Sequence, residues 1–223
     1  MTLSTDSEAA AEVAASEDVP VTGRGRRGWI LLIAALLVGA LLGLGLGLVI
    51  PRLSTPGDDS VEAGFLRDMS THHAQAVEMS MIVHQKSDDP ELVYLASDIA
   101  LTQHGQIGYM QAWLRDWHLS PTTTRQPMAW MPDSAGSVVN GLMPGMATPE
   151  QMADLGKATG KDLDVQYLTL MRQHHLGGIH MAQEAEKLSH NSDVKWLAGT
   201  MVTSQQGEIT VIDNLLKKIQ GRQ

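Results

Sequence analysis

The chain has 223 residues, enough for one globular domain with appendages, and 43% of them are hydrophobic. Its formal charge of −9 argues against a nucleic-acid partner. The absence of cysteine excludes disulfides and a lipid-modified cysteine anchor, so a packed core must hold any exported part together.

Residues 1–28 are rich in Ala, Ser, Thr, Asp and Glu, with almost nothing large and apolar before Trp29. Such a stretch buries too little surface to offset the entropy of ordering it and reads as a disordered tail. Arg24, Arg26 and Arg27 then precede an uncharged run, 29–50, which predicts a transmembrane helix. At about 1.5 Å per residue it matches a hydrocarbon core of roughly 30 Å. The alternative is a cleaved signal peptide, whose apolar region is usually about 7–15 residues, with a small-residue site that Pro51-Arg52-Leu53 does not offer. The arginine asymmetry puts the N-terminus in the cytoplasm and everything from about Arg52 outside the cell membrane. That outer part carries 13 Lys+Arg against 20 Asp+Glu, a net of −7. Within the span, Ala35, Gly39, Gly43 and Gly47 form a ridge of small residues every fourth position, a candidate face for homo-oligomer formation.

Beyond the span the sequence repeats itself. Phe65-Leu66 through Met69 to His72-His73 returns as Tyr167-Leu168 through Met171 to His174-His175, at an offset of 102 residues. The same offset pairs Met79 with Met181, Leu95-Ala96 with Leu197-Ala198, Gln103 with Gln205, and Leu114 with Leu216. A constant offset over some fifty residues marks a duplication. Each copy, about 58–118 and 160–220, reads as two helices of 3.6-residue period, broken at Ser87-Asp88-Asp89-Pro90 and at Ser189–Asp193. Two such hairpins predict an all-α, four-helix bundle over 58–220. The connection 119–147 holds Met128, Trp130, Met131, Met143 and Met146. Its length suggests a functional or flexible segment, a source of sulfur ligands or a lid. Thr148-Pro149-Glu150-Gln151 then predicts a capped short helix through Leu155.

Met69, His72, His73, Ala76 and Met79 fall within about 120° of one helix face. Met171, His174, His175, Gly178 and Met181 repeat that stripe, with small residues leaving room between larger ones. Gln103, Gln106, Gln205 and Glu208 point inward from the partner helices. A methionine stripe is usually core filler, but adjacent histidines in both halves are costly to bury without partners or a ligand. Sulfur favours Cu(I), and imidazole suits copper or zinc, so copper is the first choice and zinc the second. His84, near Met81, is a weaker candidate; His104, His118, His180 and His190 should face solvent. No histidine follows a Glu by three residues, as a di-iron bundle needs. There is no His-Glu-x-x-His helix and no Gly-x-Ser-x-Gly elbow, so the chain reads as no enzyme.

Together these residues resemble the bacterial family called domain of unknown function 305. Its members carry the Met-x-x-His-His helix, often twice, with a Met-Pro-Gly-Met segment, here Met143-Pro144-Gly145-Met146, before the second copy. The resemblance covers roughly 58–220 and implies a ferritin-like four-helix bundle, usually exported, with copper binding or tolerance in some members. It implies a ligand set of Met69, His72, His73, Met79, Met143, Met146, Met171, His174, His175 and Met181. Gly177-Gly178 fits the small pair that commonly follows the second His-His, whereas Gln75-Ala76 departs from it. The expected function is a membrane-anchored metal-binding protein that sequesters or delivers copper. The alternative is a structural or accessory subunit of an envelope or respiratory complex.

Overall fold

The computed structural model describes residues 24–132, 134 and 136–221, and among them it is helical with no strand. Most of the 1–28 tail therefore lies outside the described residues. The apolar run forms α1 (Arg24–Ser54), which extends past both ends of 29–50. Between Arg27 and Gly45 its mean hydropathy is 2.4, so it is long and apolar enough to cross a membrane; a signal sequence near an N-terminus meets the same description. The chain from Thr55 onward forms a separate compact unit.

That unit is built from α2 (Val61–Lys86), α3 (Pro90–Asp116), the short α4 (Pro149–Lys157), α5 (Gly160–Leu188) and α6 (Ser192–Gln220). Local chemistry sets the boundaries. Ser60 Oγ accepts from the Ala63 amide, and Asp89 caps α3 ahead of Pro90. Thr148 and Gln151 close a reciprocal capping box on α4, and Asn191 caps α6. Hairpins α2–α3 and α5–α6 pack together, with α2 against α5 at the centre. Residue 80 meets 167, 72 meets 174 and 62 meets 189, so these two central helices are antiparallel.

Both ends of the central pair are clamped in the same way. Ser189 Oγ, in the α5–α6 turn, donates to Glu62 at the start of α2 (2.8 Å). Ser87 Oγ, in the α2–α3 turn, donates to Asp164 at the start of α5 (2.7 Å). The four residues are themselves repeat partners, 102 apart, so each hairpin's turn holds the other hairpin's first helix.

Among its described residues, the connection 119–147 forms a strap held against the bundle around Met128–Met131 and at Met143–Ala147 rather than a loose lid. Asp68 accepts from the Met128 amide (2.7 Å) and from Trp130 Nε1 (2.9 Å). Trp130 meets Phe65 edge to face, 5.7 Å between ring centroids, and rests on Gly64, where any Cβ would come within 2.5 Å of it. Farther along, Gln75 makes a two-way amide pair with Ala147 (2.9 and 2.7 Å). Met128, Trp130, Met131 and Met143 are buried as a result.

Candidate metal centre

The apolar core is split in two. One cluster gathers Met69, Met110, Met128, Met131, Met143, Met181 and Met201, with Met146 packed against it. The other holds Met79 and Met171 among Val83, Ile99, Tyr167 and Leu168. His72, His73, His174 and His175 form a layer at the centre of α2 and α5, and none of the four is exposed to solvent. Each apolar cluster therefore contains one stripe methionine from α2 and one from α5.

The hydrogen bonds of this layer fix the state of each ring. His72 Nε2 donates to the Pro144 carbonyl (3.0 Å), and His174 Nε2 donates to the His72 carbonyl (2.8 Å). His73 Nε2 donates to Gln106 Oε1 (2.7 Å), and His175 Nε2 donates to the Glu208 carboxylate. A carbonyl or carboxylate oxygen only accepts, so the proton of a neutral ring sits on Nε2 and the lone pair on Nδ1. All four Nδ1 atoms are buried, and none has a hydrogen-bond partner among the described residues. The same is true of the side-chain amides of Gln103 and Gln205. Such groups are rare in folded proteins, and each calls for a water, an ion or a function.

Burial also keeps His72, His73 and His174 neutral. Desolvation lowers His72 from the ordinary 6.5 to about 4, despite the Pro144 carbonyl, which favours the charged form. Desolvation and then the neighbouring His72 take His73 to about 3, and both causes push His174 well below its ordinary value. The His72 and His174 rings lie 3.7 Å apart, close enough that two positive charges would repel strongly. Neutral imidazole with an oriented Nε2–H is the form that ligates metals.

The Met143–Met146 segment owes its position to glycine. Gly145 adopts φ +80°, and a Cβ there would strike the Gln173 carbonyl at 2.3 Å. At Gly177 a Cβ would strike the Pro144 carbonyl at 1.9 Å. Gly177 thus lets the strap approach α5 closely, which delivers that carbonyl to His72. The first copy has Gln75 at the equivalent place because there the strap is held by side-chain bonds. At Gly178 the space is taken by the Gln205 amide, whose Oε1 would be 2.6 Å from a Cβ, rather than left open between ligands.

Of the predicted ligand set, the eight stripe residues are all buried; Met143 is buried in the same cluster as Met69 and Met181, and Met146 is half-buried against it. Met110 and Met201 join the sulfur-rich cluster as well; their inward helical positions were the available signal. His84 is exposed and bonded to Ser97, and His104, His118, His180 and His190 are exposed. Among the described residues no group of three or more His, Asp or Glu side chains is arranged to hold an ion, so zinc as second choice finds no support.

The sequence profile of the domain of unknown function DUF305 matches residues 62–216. The solved structure of a DUF305 protein from Streptomyces coelicolor is 46% identical, with a TM-score of 0.68 over 73% of this chain and 96% of that one. A DUF305 fragment from Deinococcus radiodurans is 28% identical (TM-score 0.60; 71% and 96% covered). CopM in its Cu(I)-bound form is 21% identical (TM-score 0.56; 71% and 96% covered), a likeness of fold. No curated protein matches the chain.

Proposed function

We propose that this chain, which belongs to the DUF305 family, is an extracytoplasmic metal-binding protein that sequesters or delivers a soft cation, Cu(I) before others. One observation carries the reading: four buried Nδ1 atoms without partners, on two helices whose stripe methionines supply thioethers to both apolar clusters. Sulfur and neutral imidazole together match the preference of Cu(I), and thioethers survive an oxidising compartment. The solved forms of CopM hold Cu(I), Cu(II) and Ag on the same fold, which is consistent with the reading. The full-length chain, kept in mild detergent, should withdraw Cu(I) from a chromophoric chelator at pH 7. If the folded chain withdraws none, the stripe is core packing and the accessory-subunit reading takes its place.

α1 is the proposed anchor, with the bundle outside the cytoplasm, because the arginines precede the span. Its ridge of Ala35, Gly39, Gly43 and Gly47 is the proposed face for self-association. A reporter that works only after export, fused behind Gln223, should be active; a full-length but inactive fusion would reverse the orientation.

A further inference from the structure

The repeat is close to symmetric at the histidines but not along the seam between α3 and α6. One half of that seam is an open cleft of about 700 Å³, lined by Tyr94, Leu95 and Asp98 of α3 and by Gly207, Glu208 and Val211 of α6. The repeat partners of Tyr94 and Val211 are Trp196 and Tyr109, which lie in the other half. There the Tyr109 ring is 6.4 Å from Trp196 and 6.1 Å from Trp113, so half-exposed aromatic rings meet across the seam where the first half has Tyr94 and Val211. Charge differs in the same sense. Asp98 and Glu208 face the cleft, and their partners in the other half are the neutral Thr200 and Gln106.

Glu208 connects this cleft to the core. Its side chain is 12% exposed, and it accepts the Nε2 proton of His175, which is fully buried. Among the described residues it is the only carboxylate hydrogen-bonded to the histidine layer. On the strap side, Pro144 and Gly145 cover the layer.

We propose that the cleft between α3 and α6 is the path by which the metal cation enters and leaves, with Glu208 at its inner end drawing the cation out of water. This rests on the metal-binding reading above. An acidic cleft concentrates cations and speeds their arrival, and a carboxylate can replace part of a hydration shell before softer ligands take over.

The test is the rate of Cu(I) exchange with a chromophoric chelator, followed by stopped flow on the full-length chain in detergent. A Cβ added at Gly207 would meet nothing within 4 Å, so bulk can be placed there without disturbing the core. Gly207→Trp with Val211→Trp should slow both uptake and release by about tenfold, leaving the equilibrium constant within about twofold. Gly105→Trp, at the repeat position on the half crossed by Tyr109 and Trp196, should exchange like wild type. Glu208→Gln keeps an acceptor for His175 while removing the charge; its uptake should be slower and less sensitive to salt. Equal rates in wild type and the blocked variant overturn the path and leave metal binding standing. An unchanged salt dependence in Glu208→Gln removes that residue from the path. A wild type that takes up no Cu(I) overturns the metal reading itself.

Discussion

Replacing His174 and His175 together by alanine should lower Cu(I) affinity by at least about a hundredfold, since even residues that only orient a ligand typically cost 10–100-fold. Helix content should stay close to wild type. Two effects on the fold oppose each other. The variant loses two buried rings, one of them packed on His72, with their hydrogen bonds to the His72 carbonyl and to Glu208, at a cost of about 2–5 kcal/mol. It also removes two buried ring nitrogens without partners, each a penalty of about 1–3 kcal/mol, and alanine favours the helix. Met171→Leu separates the roles further. Leucine conserves the volume beside Tyr167 and Leu168 and should cost less than about 1.5 kcal/mol, yet it removes a sulfur. Chelator competition and circular dichroism on the same samples decide the matter. Variants that bind like wild type would remove these residues from the ligand set; variants that lose their helicity without affecting a measurable affinity would make the layer structural.

The metal-free chain should lose stability steeply as the pH falls from about 7 to about 4. His72, His73 and His174 are held neutral in the folded state, at about 4, about 3 and well below 6.5 respectively, chiefly by desolvation. In the unfolded chain they protonate near 6.5. Below that value the unfolded state binds more protons, so stability present above pH 6.5 is lost as the pH approaches the folded values. Each ring contributes roughly 1 kcal/mol per pH unit across that window. Denaturant titrations at pH 8, 6 and 5 measure the slope. A flat profile between 7 and 5 would show that the imidazoles are not desolvated as the geometry implies. Acid should weaken Cu(I) binding in the same direction, because the proton and the metal compete for the ring nitrogen.

The fold and most of the centre were legible because both depend on local periodicity and on a repeat. The stripe of Met69, His72, His73 and Met79 repeats at Met171 through Met181, so its burial against a partner helix follows from the 3.6-residue period alone. The capped breaks at Ser87–Pro90 and Ser189–Asp193 carry their own turn chemistry. The strap was different. That the Pro144 carbonyl would reach His72, or that Gln75 would grip Ala147, depends on how the two hairpins dock, and neither residue type announces such a role. The clamps did leave a trace: Glu62 and Asp164, like Ser87 and Ser189, are acid and hydroxyl pairs at the repeat offset. Their partners are exchanged between hairpins, which no pattern within one hairpin reveals. The seam between α3 and α6 was illegible for a related reason, since its asymmetry is one of side-chain size at positions that read as ordinary helix surface.

The exchanged clamps bear on how such a chain could arise. Glu62 is held by the second hairpin and Asp164 by the first, and the His174 ring donates to the backbone of the first copy. One hairpin alone would present half of the centre to water. It could complete that centre only as a two-fold dimer, in which residue i meets residue j and j meets i. Fusion through the strap replaces that encounter with an intramolecular one, independent of protein concentration. It also releases the halves from having to be identical. Glu208 can then differ from Gln106, and Gly177 from Gln75, giving one molecule two unlike sides.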